Sequence, residues 1–447
     1  MEATQVKTED ERRRTLRRVV AAGGLGTLIE YLDYASYSYL ATVIAVVFFP
    51  SEDPTVSLLN TFAIFALSFV VRPIGAFVWG SLGDRIGRKR VLATTIILMS
   101  GSTFLIGIIP SYATIGLFAP ALLLLLRMIQ SFSASGEYAG AGIYIAEFSP
   151  NRSRGFLTSV VPMAASAGFL LASGMSTVLF TVLPSDAMES WGWRLPFLIA
   201  GPLGAVGLYL RFRLEETPYF KEVMDRYAQD RRANDAAKEL QRKRDRFRAS
   251  VPGMLRLLCV MALNAGAYYL LLSYTPTYLV EEAGMPQAQA SLVVTIALVV
   301  YTVMIPVTAA LSDRIGRKRA LLGACIAFIV LSYPIMIVLS SGSFVVALVV
   351  LIVALLLFSF NDAVFPSFFA ETFATRSRYL GFALPFNIGA VVFGGVAPYI
   401  ATWLIAKTGN SHSPAFFLIA IAVVSLIGVL LSKETAKVDM PTSTDDD

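Results

Sequence analysis

Apolar stretches of about 20 residues, long enough to cross the hydrocarbon core of a bilayer, recur along the whole chain and are separated by short polar turns or charged clusters. Twelve are counted, over 19–49, 59–82, 91–110, 115–146, 155–183, 193–212, 253–281, 288–311, 320–340, 343–370, 379–407 and 413–432. Each is predicted to be a membrane-spanning helix. Composition agrees, since 15% of residues are charged and 56% hydrophobic, with a mean hydropathy of +0.65, whereas a soluble domain carries about a quarter charged residues. The segment before the first stretch is charged and long, and that stretch exceeds a signal-peptide core, so the first helix is expected to stay in the mature protein.

Lys and Arg alternate between the two ends of these helices. Lys7, Arg12, Arg13, Arg14, Arg17 and Arg18 precede the first, and Arg85, Arg88, Lys89 and Arg90 follow the second. Arg152, Arg154, the stretch from Lys221 to Arg248, Arg314, Arg317, Lys318, Arg319, Arg376, Arg378, Lys433 and Lys437 fall on the same face. Opposite turns read Ser51-Glu52-Asp53-Pro54, Ser185-Asp186-Ala187-Met188-Glu189 and Glu281-Glu282, with Lys407 a rare basic residue. By the positive-inside rule both termini are expected in the cytoplasm of a cell whose inner or plasma membrane holds the chain. The net charge of +6 is then topological, and nucleic acid is not an expected partner.

The chain repeats itself. Gly83-Asp84-Arg85-Ile86-Gly87-Arg88-Lys89-Arg90 returns as Ser312-Asp313-Arg314-Ile315-Gly316-Arg317-Lys318-Arg319, with seven of eight positions identical. Glu147 with Arg152-Ser153-Arg154 returns as Glu371 with Arg376-Ser377-Arg378. Six helices are therefore repeated as six, and the expected fold is an all-α membrane protein of twelve helices in two pseudo-symmetric bundles. The divisions are a tail over 1–18, a bundle over 19–212, a linker over 213–250, a bundle over 251–432 and a tail over 433–447. Residues 213–250 are rich in charge and poor in large apolar residues, which suits a helix-prone linker rather than a domain. In the repeated loop, glycine permits a tight turn and Asp84 can pair with Arg or cap a helix N-terminus; alternatively, the loop charges only set topology.

Two such halves, each with a D-R-x-G-R-K loop, resemble the major facilitator superfamily over nearly the whole chain. That resemblance implies a cytoplasmic latch built from Asp84, Arg85, Gly87 and Arg88 and from Asp313, Arg314, Gly316 and Arg317. Ile29-Glu30-Tyr31-x-Asp33, Arg72-Pro73-Ile74-Gly75, Arg127-x-x-Gln130, Gly136-Glu137-Tyr138 and Glu215-Glu216-Thr217-Pro218 resemble the metabolite:proton symporters. Within them, Trp191-Gly192-Trp193-Arg194-Leu195-Pro196-Phe197 and Ser273-Tyr274-x-Pro276-Thr277-Tyr278 look most like the proline/betaine osmolyte transporters. Osmosensing members often end in a long coiled coil, whereas this chain ends Met440-Pro441-Thr442-Ser443-Thr444-Asp445-Asp446-Asp447, so osmotic activation through such a tail is not expected.

An ionisable residue inside a span is costly and usually lines a wetted path, which directs attention to Glu30, Asp33, Arg72, Arg127, Glu137 and Asp362. Glu30 and Asp33 share a helical face with Tyr34 and Tyr37 nearby. Two like charges so close in a low dielectric resist simultaneous ionisation, which suits one of them to carrying a proton; Asp33 is favoured, then Glu30, with Glu137 and Asp362 as further candidates. His412, the sole histidine, lies in the last outer loop, so coupling must use carboxylates. Arg127, one turn from Gln130, is a candidate to hold a substrate carboxylate bidentately. The structural alternative pairs Arg127 with Glu137, or Arg72 with Asp33, as braces.

The second half offers Asn264, Tyr268, Tyr269, Ser273, Asn361, Phe365 and Phe369, with no mid-span Lys or Arg. A di- or tricarboxylate calls for several basic groups, whereas a zwitterion needs one Arg and an aromatic surface for its ammonium. The expected function is proton-coupled symport of a small zwitterion or carboxylate by alternating access. An organic-acid symporter, an uncoupled uniporter and a transporter-derived sensor stay open. No enzyme is expected, because no span holds a histidine or a nucleophile with its base. The expected partners are solute, protons and lipid, with the chain a monomer. Cys259 and Cys325 lie in spans without metal-ligand spacing and read as buried packing, so neither metal nor cofactor is expected. Pro73, Pro162, Pro276, Pro306, Pro366 and Pro385 are expected to bend their helices.

Overall fold

The computed structural model describes residues 9–86, 88–212, 236–374 and 377–441. Among these, each predicted stretch meets one long helix. In chain order they are α1 (Glu9–Tyr39, then Ala41–Phe48), α2 (Pro54–Phe69, then Arg72–Ile86), α3 (Arg88–Ile106), α4 (Phe118–Ala134, then Glu137–Phe148), α5 (Arg154–Thr158, then Val160–Val182) and α6 (Arg194–Phe212). The second half supplies α7 (Ala236–Tyr268, Tyr269–Tyr274, Thr275–Glu281), α8 (Gln287–Ile315), α9 (Arg317–Leu339), α10 (Phe344–Asp362, then Phe365–Thr372), α11 (Arg378–Gly389, Ala390–Gly395, Ala397–Thr408) and α12 (Pro414–Leu430). Residues 213–235 of the linker lie outside the described residues, and the rest of it is helical and continues into α7.

The interruptions follow backbone chemistry. Proline has no N–H and its ring crowds the carbonyl four residues back. Accordingly α2 breaks just before Pro73, α10 before Pro366, and α7 passes through a wide π turn over Tyr269–Tyr274 before Pro276. The carbonyl of Leu272, four residues before Pro276, therefore lacks its helical donor; Tyr39 of α1 donates its hydroxyl to it at 2.7 Å. A missing donor in one half thus becomes a bond to the other. The bend of 64° in α1 falls at Leu40 without a proline.

The first six helices pack among themselves, as do the last six, and the halves meet along α5–α8, α2–α11 and α4–α10. Without a hydrophobic driving force in lipid, such seams rely on small residues and interhelical hydrogen bonds. The α5–α8 seam has both: Ser166 to Thr302 at 2.6 Å, Ser173 to Thr295 at 2.7 Å and Thr177 to Thr295 at 3.0 Å. Within the first half, α5 approaches α1 so closely at Gly168 that a Cβ there would stand 2.5 Å from the Leu28 carbonyl oxygen and 2.8 Å from the Leu32 nitrogen.

Because both obstacles are helix backbone, Gly168→Ala is expected to force the two helices apart and destabilise the first bundle by about 1–3 kcal/mol. Thermal unfolding of the purified protein checks this against Gly174→Ala, where a Cβ meets nothing within 4 Å.

Candidate functional site

Four buried charges gather in the first half. Glu30 and Asp33 on α1 are three residues apart, yet they part company. Arg72, at the start of the second segment of α2, donates Nη2 to Glu30 Oε1 at 2.8 Å, with 1% and 0% of the two side chains exposed. Asp33 turns instead toward α3, where its Oδ2 accepts from Thr103 Oγ1 at 2.7 Å. The Arg72–Asp33 brace allowed by sequence is therefore replaced by Arg72–Glu30.

Arg127 and Gln130 on α4 join this network through one another. Arg127 Nη1 donates to Gln130 Oε1 at 2.6 Å, and Gln130 Nε2 donates to Thr103 Oγ1 at 2.7 Å. A line of hydrogen bonds thus runs from Arg127 through Gln130 and Thr103 to Asp33. The Arg127 guanidinium lies 4.4 Å from the Tyr37 ring centre and 5.3 Å from those of Tyr34 and Phe65, a setting that stabilises a cation. Its Nε and Nη2 are buried without a partner, as is Asp33 Oδ1. The phenols of Tyr34 and Tyr37 serve inside the half, to Ser131 at 3.2 Å and to the Thr61 carbonyl at 2.8 Å. Glu137, past the break in α4, is buried within electrostatic reach of Glu30.

Aromatic rings fill the mid-depth interface. Tyr31 lies 5.6 Å from Tyr268 and 6.1 Å from Tyr138, Phe169 lies 5.3 Å from Tyr268, and Tyr138 stacks on Phe386 of α11 at 4.6 Å and 11°. Tyr269 meets Phe65 and Phe69 across the halves at 5.6 and 5.3 Å. In the second half Asp362 accepts from Tyr301 Oη at 2.7 Å and from Asn264 Nδ2 at 3.1 Å, and Asn264 also donates to Asn361 Oδ1 at 3.1 Å. Phe365, just past the break in α10, packs on Phe369 and reaches Phe386.

On the basic face the halves are tied by charge. Asp313 accepts from the backbone N–H of Gly155 at 3.0 Å and of Phe156 at 2.9 Å, donors left free in the first turn of α5, and takes Arg317 Nη2 at 2.5 Å. Arg154 pairs with Glu371 at 3.2 Å and Arg378 with Glu147 at 2.7 Å. Each pair joins the start of a helix in one half to the end of a helix in the other. Gly316 turns at φ +106° and lets Glu434 reach the N–H groups of Arg317 and Lys318, at 2.8 and 3.1 Å, as the cap of α9. The tail continues across both halves, with Thr435 on Glu371 at 2.6 Å and Asp439 on Asn151. Arg314 is exposed; the side chains of Asp84, Arg85 and Arg88, and Gly87 altogether, lie outside the described residues.

The sequence profile of the Major Facilitator Superfamily matches residues 24–387 and again 257–445. The chain belongs to the major facilitator superfamily. It is 39% identical over 430 residues to a proline/betaine transporter of Salmonella typhimurium, covering 94% of this chain and 84% of the relative. A glycine betaine/proline/ectoine/pipecolic acid transporter of Dickeya dadantii is 39% identical over 425 residues, with the same coverage. Among solved structures, the proton:xylose symporter XylE superposes with a TM-score of 0.72 at 19% identity, over 95% of this chain and 97% of that one. XylE from E. coli in a partially occluded inward-open conformation gives 0.70 at 18% identity, over 94% and 98%.

This major facilitator protein is accordingly a multi-pass inner-membrane transporter rather than an enzyme. Its fold brings Asp33, Gln130 and Arg127 into one network through Thr103, pairs Glu30 with Arg72 beside it, and places Asn264, Asn361 and Asp362 in another, with Tyr268 and Tyr269 between. Thr103, Tyr301 and Asn387, which donates to the Ser135 carbonyl across the halves at 2.8 Å, carry no sequence signal, being single polar residues in apolar helices. The four partners Glu147, Arg154, Glu371 and Arg378 had one, in the second repeat.

Glu371 lies near two guanidiniums, Arg154 and, at 3.5 Å, Arg317, so losing it takes the carboxylate from Arg154 and leaves Arg317 with Asp313 alone. Glu371→Ala is expected to destabilise the joined halves by about 3–5 kcal/mol and more than Arg154→Ala, which leaves Glu371 its second partner. Thermal unfolding in nanodiscs ranks the two.

Proposed function

We propose that this transporter is a proton-coupled symporter for a small zwitterion of proline or betaine type, with the basic face and both termini in the cytoplasm. The halves over 19–212 and 251–432 rock about a mid-depth site to expose it alternately. The observation that carries this reading is the free fork of Arg127: Nε and Nη2 lie on one edge of a guanidinium, both buried and unpartnered, in the arrangement that fits the two oxygens of a carboxylate. The names of the relatives support the solute class, and one free fork suits a single carboxylate better than two or three.

Coupling follows from charge balance. Asp33 and Arg127, ionised, balance each other through Thr103 and Gln130, as Glu30 and Arg72 do in direct contact. A proton on Asp33 leaves Arg127 unbalanced in a low dielectric, and a substrate carboxylate on Arg127 restores the balance. Proton and solute therefore favour each other's binding, which is reciprocal by linkage. Glu30, held by Arg72, is the less available carrier.

Proteoliposomes loaded by an inward solute gradient are expected to alkalinise the outer medium; solute entry with no pH change rejects symport. Asp33→Asn is expected to abolish proton-driven accumulation while counterflow exchange continues. Concentrative uptake by that variant would remove Asp33 from the mechanism. Strong competition by citrate-like acids, and none by proline or betaine, would redirect the reading to an organic acid.

A further inference from the structure

Asp362 is a buried carboxylate, 2% exposed, whose hydrogen-bond partners are neutral. Tyr301 donates to one oxygen and Asn264 to the other. Its situation contrasts with that of Glu30, which has a guanidinium at 2.8 Å. An anion in such a place calls for a cation, and its own half shows no buried Lys or Arg at that depth among the described residues.

Around it the surfaces are those that receive a cation. The Tyr138 and Tyr268 hydroxyls are within electrostatic reach of Asp362. Tyr268 packs against Tyr31 and Phe169 of the opposite half, and Tyr138 crosses over to stack on Phe386. Two polar groups here, Tyr268 Oη and Asn361 Nδ2, are buried without any partner, so hydrogen-bonding capacity is left over at the point where the anion and the rings converge.

We propose that Asp362 is the counter-charge for the cationic nitrogen of the solute and that Tyr31, Tyr138 and Tyr268 provide ring faces for its alkyl groups. This rests on the zwitterion reading above and extends it. The nitrogen end of the zwitterion is answered by Asp362, and a molecule lacking that positive charge leaves the anion of the second half without a counter-charge. Asp362 is on this view a specificity residue and not a second proton carrier.

The test compares glycine betaine with 3,3-dimethylbutyrate, its carbon isostere, which keeps the carboxylate and the three methyl groups but not the positive charge. Calorimetric titration of the full chain in nanodiscs is expected to show a preference for betaine of roughly tenfold or more. In Asp362→Asn that preference should fall to within about threefold, with dimethylbutyrate binding as well or better, while Asp362→Glu keeps most of it. Tyr138→Leu should reduce it in the same direction if the Asn variant does not fold. An Asp362→Asn protein with an undiminished preference overturns the proposal. So does one that binds betaine normally and loses only proton-driven accumulation. A wild-type chain that favours dimethylbutyrate sinks the zwitterion reading and this assignment together, whereas betaine preference without effect of Asp362→Asn sinks the assignment alone.

Discussion

A charge removed from water into a protein core within a membrane costs several kcal/mol unless an opposite charge or a set of dipoles meets it, and that penalty organises the centre of this transporter. Glu30 and Arg72 meet it by direct contact. Asp33 and Arg127 meet it at one remove, through Gln130 and Thr103. The first pair resembles a fixed brace. The second leaves a carboxylate oxygen and two guanidinium nitrogens free, so it is the pair whose balance a proton and a carboxylate can alter.

The halves differ in how they treat this constraint. The first buries three acids, Glu30, Asp33 and Glu137, with two bases, Arg72 and Arg127; the second buries Asp362 among neutral donors and aromatic rings. A repeated fold has therefore been given two unlike inner surfaces, the feature on which the proposed zwitterion reading rests. Tyr31, Tyr138 and Tyr268 belong to neither half alone, since each packs on a ring from the other.

The contacts that join the halves lie at both ends and in the middle. Asp313, Arg154, Glu371, Arg378 and Glu147 close the basic face, Asn387 bonds Ser135 at mid-depth, and Tyr39 takes the carbonyl released by Pro276 toward the far side. In the alternating-access reading proposed above, opening either side breaks one of these sets while keeping the other. The tail adds a further layer on the basic face, with Glu434 capping α9 and Thr435 touching Glu371.

Much of this was legible in the chain. Spans of apolar residues gave twelve helices because length and hydropathy are local properties, and the two copies of D-R-x-G-R-K gave the division into halves because repetition survives in sequence. Membrane-buried charges stood out because so few occur. Partner choice did not. Spacing on one helical face puts Glu30 and Asp33 side by side, but only the packing of α2 and α3 against α1 decides that one meets Arg72 and the other Thr103. Similarly, the loop Asp reads in sequence as a partner for Arg or a helix cap, and Asp313 of the second copy is both, to Arg317 and to the first turn of α5 in the opposite half. Which side chain meets which depends on the approach and rotation of whole helices, a sum of contacts spread over more than two hundred residues of sequence separation, as in Arg154 with Glu371 and Arg378 with Glu147. The sequence by itself determined what must be buried and where the chain repeats; the tertiary structure alone decided how each buried charge is answered.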